Sequence, residues 1–104
     1  MTVANALRFA AVARGLTGEA RARGLVVPGF RSPPRLPGAH RSLGRHPDGG
    51  TVVSVVLRGR PMADVAADMV EGVLAANGLR GARADGLRAA LLASALGADA
   101  VRAA

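Results

Sequence analysis

The fold is decided by residues 40–77, HRSLGRHPDGGTVVSVVLRGRPMADVAADMVEGVLAAN. Its first part has two stretches, 40–45 and 51–58, on either side of the loop HPDGG. Pro47 favours a turn there, and Gly49 or Gly50 supplies the positive φ that closes it. The second stretch is rich in valine, which is typical of strands. The segment therefore predicts a β-hairpin.

The second part of the same segment predicts a helix from Met62 to Asn77. Pro61 suits a helix start, and Asn77-Gly78 suits a helix end. Apolar residues recur at helical spacing through three turns, namely Met62, Val65, Ala66, Met69, Val70, Val73 and Leu74. We expect Met69 at the centre of the core and Asp68 on the opposite, solvated face.

The hairpin register sorts its side chains into two faces. With a five-residue loop, Arg45 lies opposite Thr51. One face then carries Arg41, Leu43, Arg45, Val53, Val55 and Leu57, and the other carries Ser42, Gly44, Val52, Ser54 and Val56. Because burial of an unpaired arginine is costly, we expect the small, uncharged face to pack on a helix and the face with arginines to stay open. A bulge in the turn would reverse this assignment.

The remaining segments complete a small α+β domain. Residues 3–23 predict a helix with Thr2 as its N-cap and a break or end near Gly15, Gly18 or Gly24, and a last helix runs from Ala82 or Asp85 to about Val101. Residues 28–38, PGFRSPPRLPG, form a Pro-rich connector that cannot be a regular helix or a central strand. A third strand could lie at Leu25 to Val27. We expect one domain over 1–104 in the order α-β-β-α-α, with helices on one face of the sheet.

Composition sets limits on what such a domain can be. The 104 residues include two aromatic residues, Phe9 and Phe30, so the core is thin and would gain from a second copy or a partner. The lack of cysteine excludes disulfides, thiol catalysis and zinc–thiolate sites. Arg8 and Arg14 interrupt what would be the apolar region of a signal peptide, so we expect a cytoplasmic protein, with an organellar presequence as the alternative. No apolar run is long enough to span a membrane.

The positive charge is concentrated in the first part of the chain. All 14 basic residues are arginine, and the net charge is +7. Residues 1–60 carry ten arginines against Glu19 and Asp48, a balance of +8, whereas residues 61–104 have a balance of −1. The absence of lysine also fits translation from a GC-rich genome, so composition bias is an alternative explanation of the excess.

One set of residues is a candidate binding site for nucleic-acid backbone. It consists of Arg31, Arg35, Arg41, Arg45, Arg58 and Arg60. Guanidinium groups bind phosphates bidentately, whereas the absence of Tyr and Trp leaves only Phe30 for base stacking. We expect a non-enzymatic module that binds mostly through charge. In the alternatives, these arginines only solubilise the surface and pair with the acidic helix, or the protein is a self-associating or protein-interaction module.

No pattern of catalytic or metal-ligating residues reaches the specificity of a known site. Asp64, Asp68 and Glu71 share one helix face and could hold Mg²⁺, but a solvated face that pairs with arginine explains them more simply. His40, His46 and Asp48 match no zinc spacing. Arg31, Pro34 and Pro37 have the spacing of a polyproline II ligand, which arises by chance in any Pro-rich loop. We therefore expect no enzyme activity, cofactor, metal or small-molecule substrate.

Three stretches in this order, PGFRSPPRLPG, VLRGRP and ADMVEGVLAANGL, resemble a group of short uncharacterised actinobacterial proteins. The resemblance covers about residues 6–79. It implies a GC-rich bacterial source, in agreement with the composition. Since no activity is established for that group, it assigns no functional residues.

Overall fold

A computed structural model of the protein describes residues 2–35 and 40–103, with side chains described up to residue 100. The elements are α1 (Val3–Ala22), β1 (Gly29–Arg31), β2 (Arg41–Arg45), β3 (Thr51–Val55), α2 (Met62–Ala76) and α3 (Gly81–Ala103). This is the predicted α+β order with one short strand added. Thr2 caps α1 by accepting a hydrogen bond from the Asn5 amide at 3.1 Å, as predicted.

The three strands form a mixed sheet in the order β1-β3-β2. β2 and β3 are antiparallel, with Arg45 opposite Thr51 and Arg41 opposite Val55. This is the predicted register. Gly49 closes the turn with a φ of 94°, the backbone conformation for which a glycine was expected in this loop.

The third strand lies inside the predicted connector, so its placement at Leu25 to Val27 was wrong. β1 runs parallel to β3, with Phe30 opposite Val53. Its position at the edge of the sheet explains how a strand fits between Pro28 and Pro33, because prolines are tolerated at strand ends and on edge strands. Pro37, the last residue of the suggested polyproline pattern, lies outside the described residues.

The hairpin face that packs on α2 is the one with the arginines, so the predicted orientation was wrong. Val53 and Val55 are fully buried. A Cβ at Gly72 of α2 would lie 2.5 Å from Val53 Cγ1, so the helix backbone approaches the strand closely. Burial of a charge is avoided because β2 is an edge strand: Arg41 is half-buried, and its charge acts on Glu71 of α2.

Helix α2 lies between the sheet and the other two helices. It packs against β2 and β3 on one side and against α3 and α1 on the other. Met69 is fully buried at its centre, as predicted. The wide apolar surface of α3 is used within the chain, against α1 and α2. None of the helices in residues 2–35 and 40–103 has the length and apolarity that a membrane crossing requires.

Helix α1 continues without the break considered near Gly15 and Gly18. Gly15 lies against α3, where a Cβ would meet Ala98 Cβ at 2.5 Å. The glycine thus serves close helix packing. Arg8, near the start of α1, also connects it to the end of α3. Its Nε and Nη2 donate hydrogen bonds to the Asp99 carboxylate at 2.9 and 2.8 Å.

Candidate nucleic-acid interface

The sheet face turned away from α2 is built from small and polar residues. Strand register places Arg31, Ser54 and Ser42 in one row across the three strands. The neighbouring row is Gly29, Val52 and Gly44. Side chains on one face alternate along each strand, so these six positions share the face opposite Val53 and Val55.

A cleft of about 140 Å³ lies on this face. Its described lining is Arg31, Ser42, Gly44, Arg45, His46, Pro47, Val52 and Ser54. Arg31 and Arg45 are exposed, and they come from opposite edge strands. Neighbouring strands are about 4.8 Å apart, so the two edge strands are about 10 Å apart. Arg31 projects from this face, whereas the register places Arg45 on the same side as Val53, so Arg45 borders the cleft from the edge of the sheet. The arginine and the floor of hydroxyls and glycine backbone are suited to binding an anion.

A second depression continues the basic surface at the end of the sheet where β1 and β3 both finish. It measures about 150 Å³ and is lined by Ser32, Pro33, Pro34, Leu57 and Arg58. Arg58 is exposed, and so is Arg35, which directly follows Pro34. Arg58 therefore lies beside the connector segment that carries Arg35. This segment follows β1, which carries Arg31.

The other two predicted binding residues lie elsewhere. Arg60 forms an ion pair with Asp68 at 2.7 Å, and its Nη1 donates to the Val56 carbonyl at 3.0 Å. Its side chain is only 16% exposed. Arg41 projects toward α2 from the opposite face of the sheet. Four of the six arginines are therefore exposed, Arg31, Arg35 and Arg58 along the open face and Arg45 at the edge of the sheet, and the other two interact with the acidic helix.

The carboxylates of α2 are largely engaged by arginine. Asp68 contacts Arg60, and its Oδ2 is inaccessible to solvent, so its placement on a solvated face was wrong. Arg88 Nε donates to Glu71 at 2.6 Å. Asp64 is exposed. Within residues 2–35 and 40–103, no three His, Asp or Glu side chains are grouped so that they could hold a metal ion.

Two carboxyl groups have a lowered pKa for the same physical reason. Hydrogen bonds from Arg88 lower the pKa of Glu71, and the charge of Arg41 adds a smaller effect in the same direction. Hydrogen bonds from Arg8 lower the pKa of Asp99. Both groups lie in the helical part of the molecule, so their negative charges are held away from the open sheet face.

Most of the acidic side chains are paired with arginines and lie outside the two depressions. Among the described side chains, five carboxylates contact an arginine, namely Glu19, Asp68, Glu71, Asp85 and Asp99. Their partners are Arg8, Arg23, Arg60 and Arg88. The described lining of the two depressions contains no carboxylate. The nearest acid in sequence is Asp48, which contacts His46 in the turn at 3.2 Å.

Sequence reasoning missed that Ser42, Gly44, Ser54 and His46 line a cleft. It assigned the first three to a helix-covered face because they are small. A usable signal was Gly72, a glycine in the middle of an apolar helix face, which marks a close approach to a large side chain rather than to a small one. That large side chain is Val53, and its neighbours Val52 and Ser54 consequently lie on the face turned away from α2, where Val52 is half-buried and Ser54 is 8% exposed.

The comparisons give no relative from which a role could be transferred. The chain matches no protein-family model, no curated protein and no solved structure.

Proposed function

We propose that this protein is a small non-enzymatic module that binds the sugar–phosphate backbone of nucleic acid through its open sheet face. The binding surface consists of Arg31 and Arg45 around the cleft, extended by Arg35 and Arg58. The observation that carries the proposal is the cleft itself, which is lined by the exposed Arg31, bordered by the exposed Arg45 at the sheet edge, and has no carboxylate in its described lining.

Charge separation supports this surface over the other basic parts of the molecule. Arg8, Arg23, Arg60 and Arg88 are engaged by carboxylates of the helical layers. An arginine whose charge is already compensated contributes less to the attraction of a polyanion. Arg14, Arg21 and Arg83 are also exposed on helices, but the three helices hold six of the seven acidic residues. The field of the net +7 chain is therefore expected to be strongest on the sheet side.

The surface is suited to phosphates and poorly suited to bases. Phe30, the aromatic residue nearest the basic segment, shares the face of Val53 and packs against the core. Because Phe30 is turned toward the core, it offers no stacking surface for bases on the open face. Binding should therefore depend on charge and show little sequence preference.

Fluorescence anisotropy with a labelled 20-base-pair duplex and a labelled single strand tests the proposal. Each phosphate neutralised steepens the salt dependence of binding, with a slope near −0.9 per contact for duplex DNA. Four contacts reduce the affinity by about 100-fold between 50 and 200 mM salt. No binding at 20 mM salt, or binding that is insensitive to salt, would contradict the proposal.

A matched pair of double variants locates the surface. Arg31→Glu with Arg45→Glu should abolish binding at moderate salt. Arg14→Glu with Arg21→Glu makes the same change of charge on exposed positions of α1 and should weaken binding much less. If both double variants lose affinity equally, only the net charge matters and the cleft is not the site.

A further inference from the structure

Strand β2 has a free edge whose hydrogen-bonding groups can be identified. Among residues 2–35 and 40–103, its only neighbour in the sheet is β3. The Val56 amide donates to the His40 carbonyl at 3.0 Å, and the His46 amide donates to Gly50 at 2.6 Å. In an antiparallel pair, residues alternate between those bonded to the neighbour and those pointing away from it. Ser42 and Gly44 therefore bond to β3.

It follows that the amides and carbonyls of Arg41, Leu43 and Arg45 point outward, away from the sheet. Arg45 and Leu43 are exposed, Leu43 at 43%, and Arg41 is half-buried. An unpaired row of this kind accepts an additional strand. The same three residues project their side chains to the α2 side of the sheet. A new strand would therefore contact both the backbone groups and the side chains of Arg41, Leu43 and Arg45.

A cleft lies directly beside this edge. It measures about 300 Å³ and is lined by Leu43, Gly44, Arg45, Thr51, Ala75 and Ala76. The end of α2 contributes only the small residues Ala75 and Ala76, so side chains of an added strand have room between the helix and the hairpin. The described lining includes no carboxylate, and its one charged group is Arg45.

A second copy of the chain is a poor occupant of this edge. Antiparallel pairing of two β2 strands about Leu43 would place Arg41 of each copy opposite Arg45 of the other. Like charges directly opposite each other destabilise a strand pair, and arginines on an edge strand act as protection against such association. Charge complementarity instead favours an acidic partner.

We propose that the β2 edge binds an extended acidic segment of a partner protein, which adds a fourth strand to the sheet. Side chains directly opposite each other in a strand pair share one face. The segment therefore has an acidic residue opposite Arg41, an apolar residue opposite Leu43 and an acidic residue opposite Arg45. This inference stands on the strand edge and does not require nucleic-acid binding, although Arg45 belongs to both surfaces.

A synthetic peptide, Gly-Glu-Thr-Leu-Thr-Glu-Gly with blocked ends, tests the proposal by NMR titration of the full chain. We expect shift changes centred on residues 41–45, slower amide exchange at Arg41, Leu43 and Arg45, and at least tenfold weaker binding of the same peptide with Lys in place of Glu. Equal binding of both peptides, unchanged exchange at the three amides, or concentration-dependent dimerisation through β2 would overturn it.

Backbone methylation of the peptide provides a control that leaves the protein unchanged. In the antiparallel arrangement the amides of Leu and Glu point toward β2, whereas those of the two Thr residues point away. Methylation of the Leu amide should reduce affinity at least tenfold, and methylation of a Thr amide should have little effect. The reverse order would contradict strand addition.

Protein variants separate this proposal from the proposed function. Leu43→Pro removes an outward amide without removing a hydrogen bond to β3, so it should reduce peptide binding at least tenfold and leave polynucleotide binding unchanged. Arg31→Glu should do the opposite. Loss of both activities in both variants would show a single shared surface and overturn the separate peptide site.

Discussion

Gly72 of α2 lies directly on Val53 of β3, so closely that a Cβ at position 72 would be 2.5 Å from Val53 Cγ1 and 2.7 Å from Cγ2. Real carbon atoms do not approach to such distances without displacement. The contact fits the observed orientation, in which α2 covers the face of Val53 and the face of Ser42, Gly44 and Val52 is turned away from the helix. The orientation of the sheet on α2 depends on the absence of a side chain at this position.

Replacement of this glycine tests the contact. In an exposed helix, Gly→Ala stabilises by about 0.5–1 kcal/mol. Gly72→Ala should instead lower the free energy of unfolding by about 1–3 kcal/mol, because the new methyl group overpacks the core. Gly18→Ala is the control, since Gly18 is exposed on α1 and a Cβ there meets nothing within 4 Å; urea unfolding should show a gain. Because Val53→Ala removes the methyl groups that the new Cβ would meet, the double variant should recover part of the free energy of unfolding lost in Gly72→Ala.

The ion pair of Arg60 with Asp68 gives a second prediction. Their side chains are 16% and 24% exposed, and Asp68 Oδ2 is inaccessible. Asp68→Asn leaves a partly buried guanidinium without its counter-charge and should lower the free energy of unfolding by about 1–3 kcal/mol. Asp64→Asn, an exposed change on the same helix, should alter it by no more than about 0.5 kcal/mol. Equal changes in the free energy of unfolding for Asp68→Asn and Asp64→Asn, measured with urea, would show that the pair is not buried.

Stability should also fall in acid. The pKa values of Glu71 and Asp99 are lowered in the folded protein by Arg88 and Arg8 respectively, whereas in the unfolded chain they lie near 4. At a pH between the folded and the unfolded pKa values, the unfolded state therefore binds more protons than the folded state. The stability that these two carboxylates contribute is fully present above about pH 5 and is lost as the pH falls through their pKa values in the folded protein. Asp99→Asn with Glu71→Gln should flatten this dependence in urea titrations between pH 6 and 3. An unchanged slope would assign acid unfolding to other groups.

Local patterns were sufficient to predict most of the architecture. The spacing of Met69 and its neighbours predicts α2 and its buried face, and the HPDGG loop predicts the hairpin with its register. Both signals are local, because they depend on the period of apolar residues and on turn chemistry. The edge strand β1 was misplaced, since three residues between prolines carry no periodicity.

The composition of the cleft could not be predicted, because it depends on a tertiary choice between two hairpin faces. The cost of burying Arg41 favoured the wrong face. That cost is small at the sheet edge, where Arg41 is only half-buried and lies within electrostatic range of Glu71. The fully covered positions on that face are Val53 and Val55 in the central strand. On this face, the buried positions are therefore those of the central strand, and the residues of the edge strand β2 keep access to solvent.

A pair of isosteric substitutions on β3 tests the orientation of the sheet. Val53 is fully buried against α2, whereas Val52, one residue earlier, lines the open cleft. Val53→Thr places a hydroxyl in the core and should lower the free energy of unfolding by about 1–3 kcal/mol. Val52→Thr exposes its hydroxyl to solvent and should change stability by no more than about 0.5 kcal/mol. Urea unfolding of both variants distinguishes the two orientations: the reverse order would mean that the face of Ser42, Gly44 and Ser54 packs on α2, and the proposed phosphate-binding face would be lost.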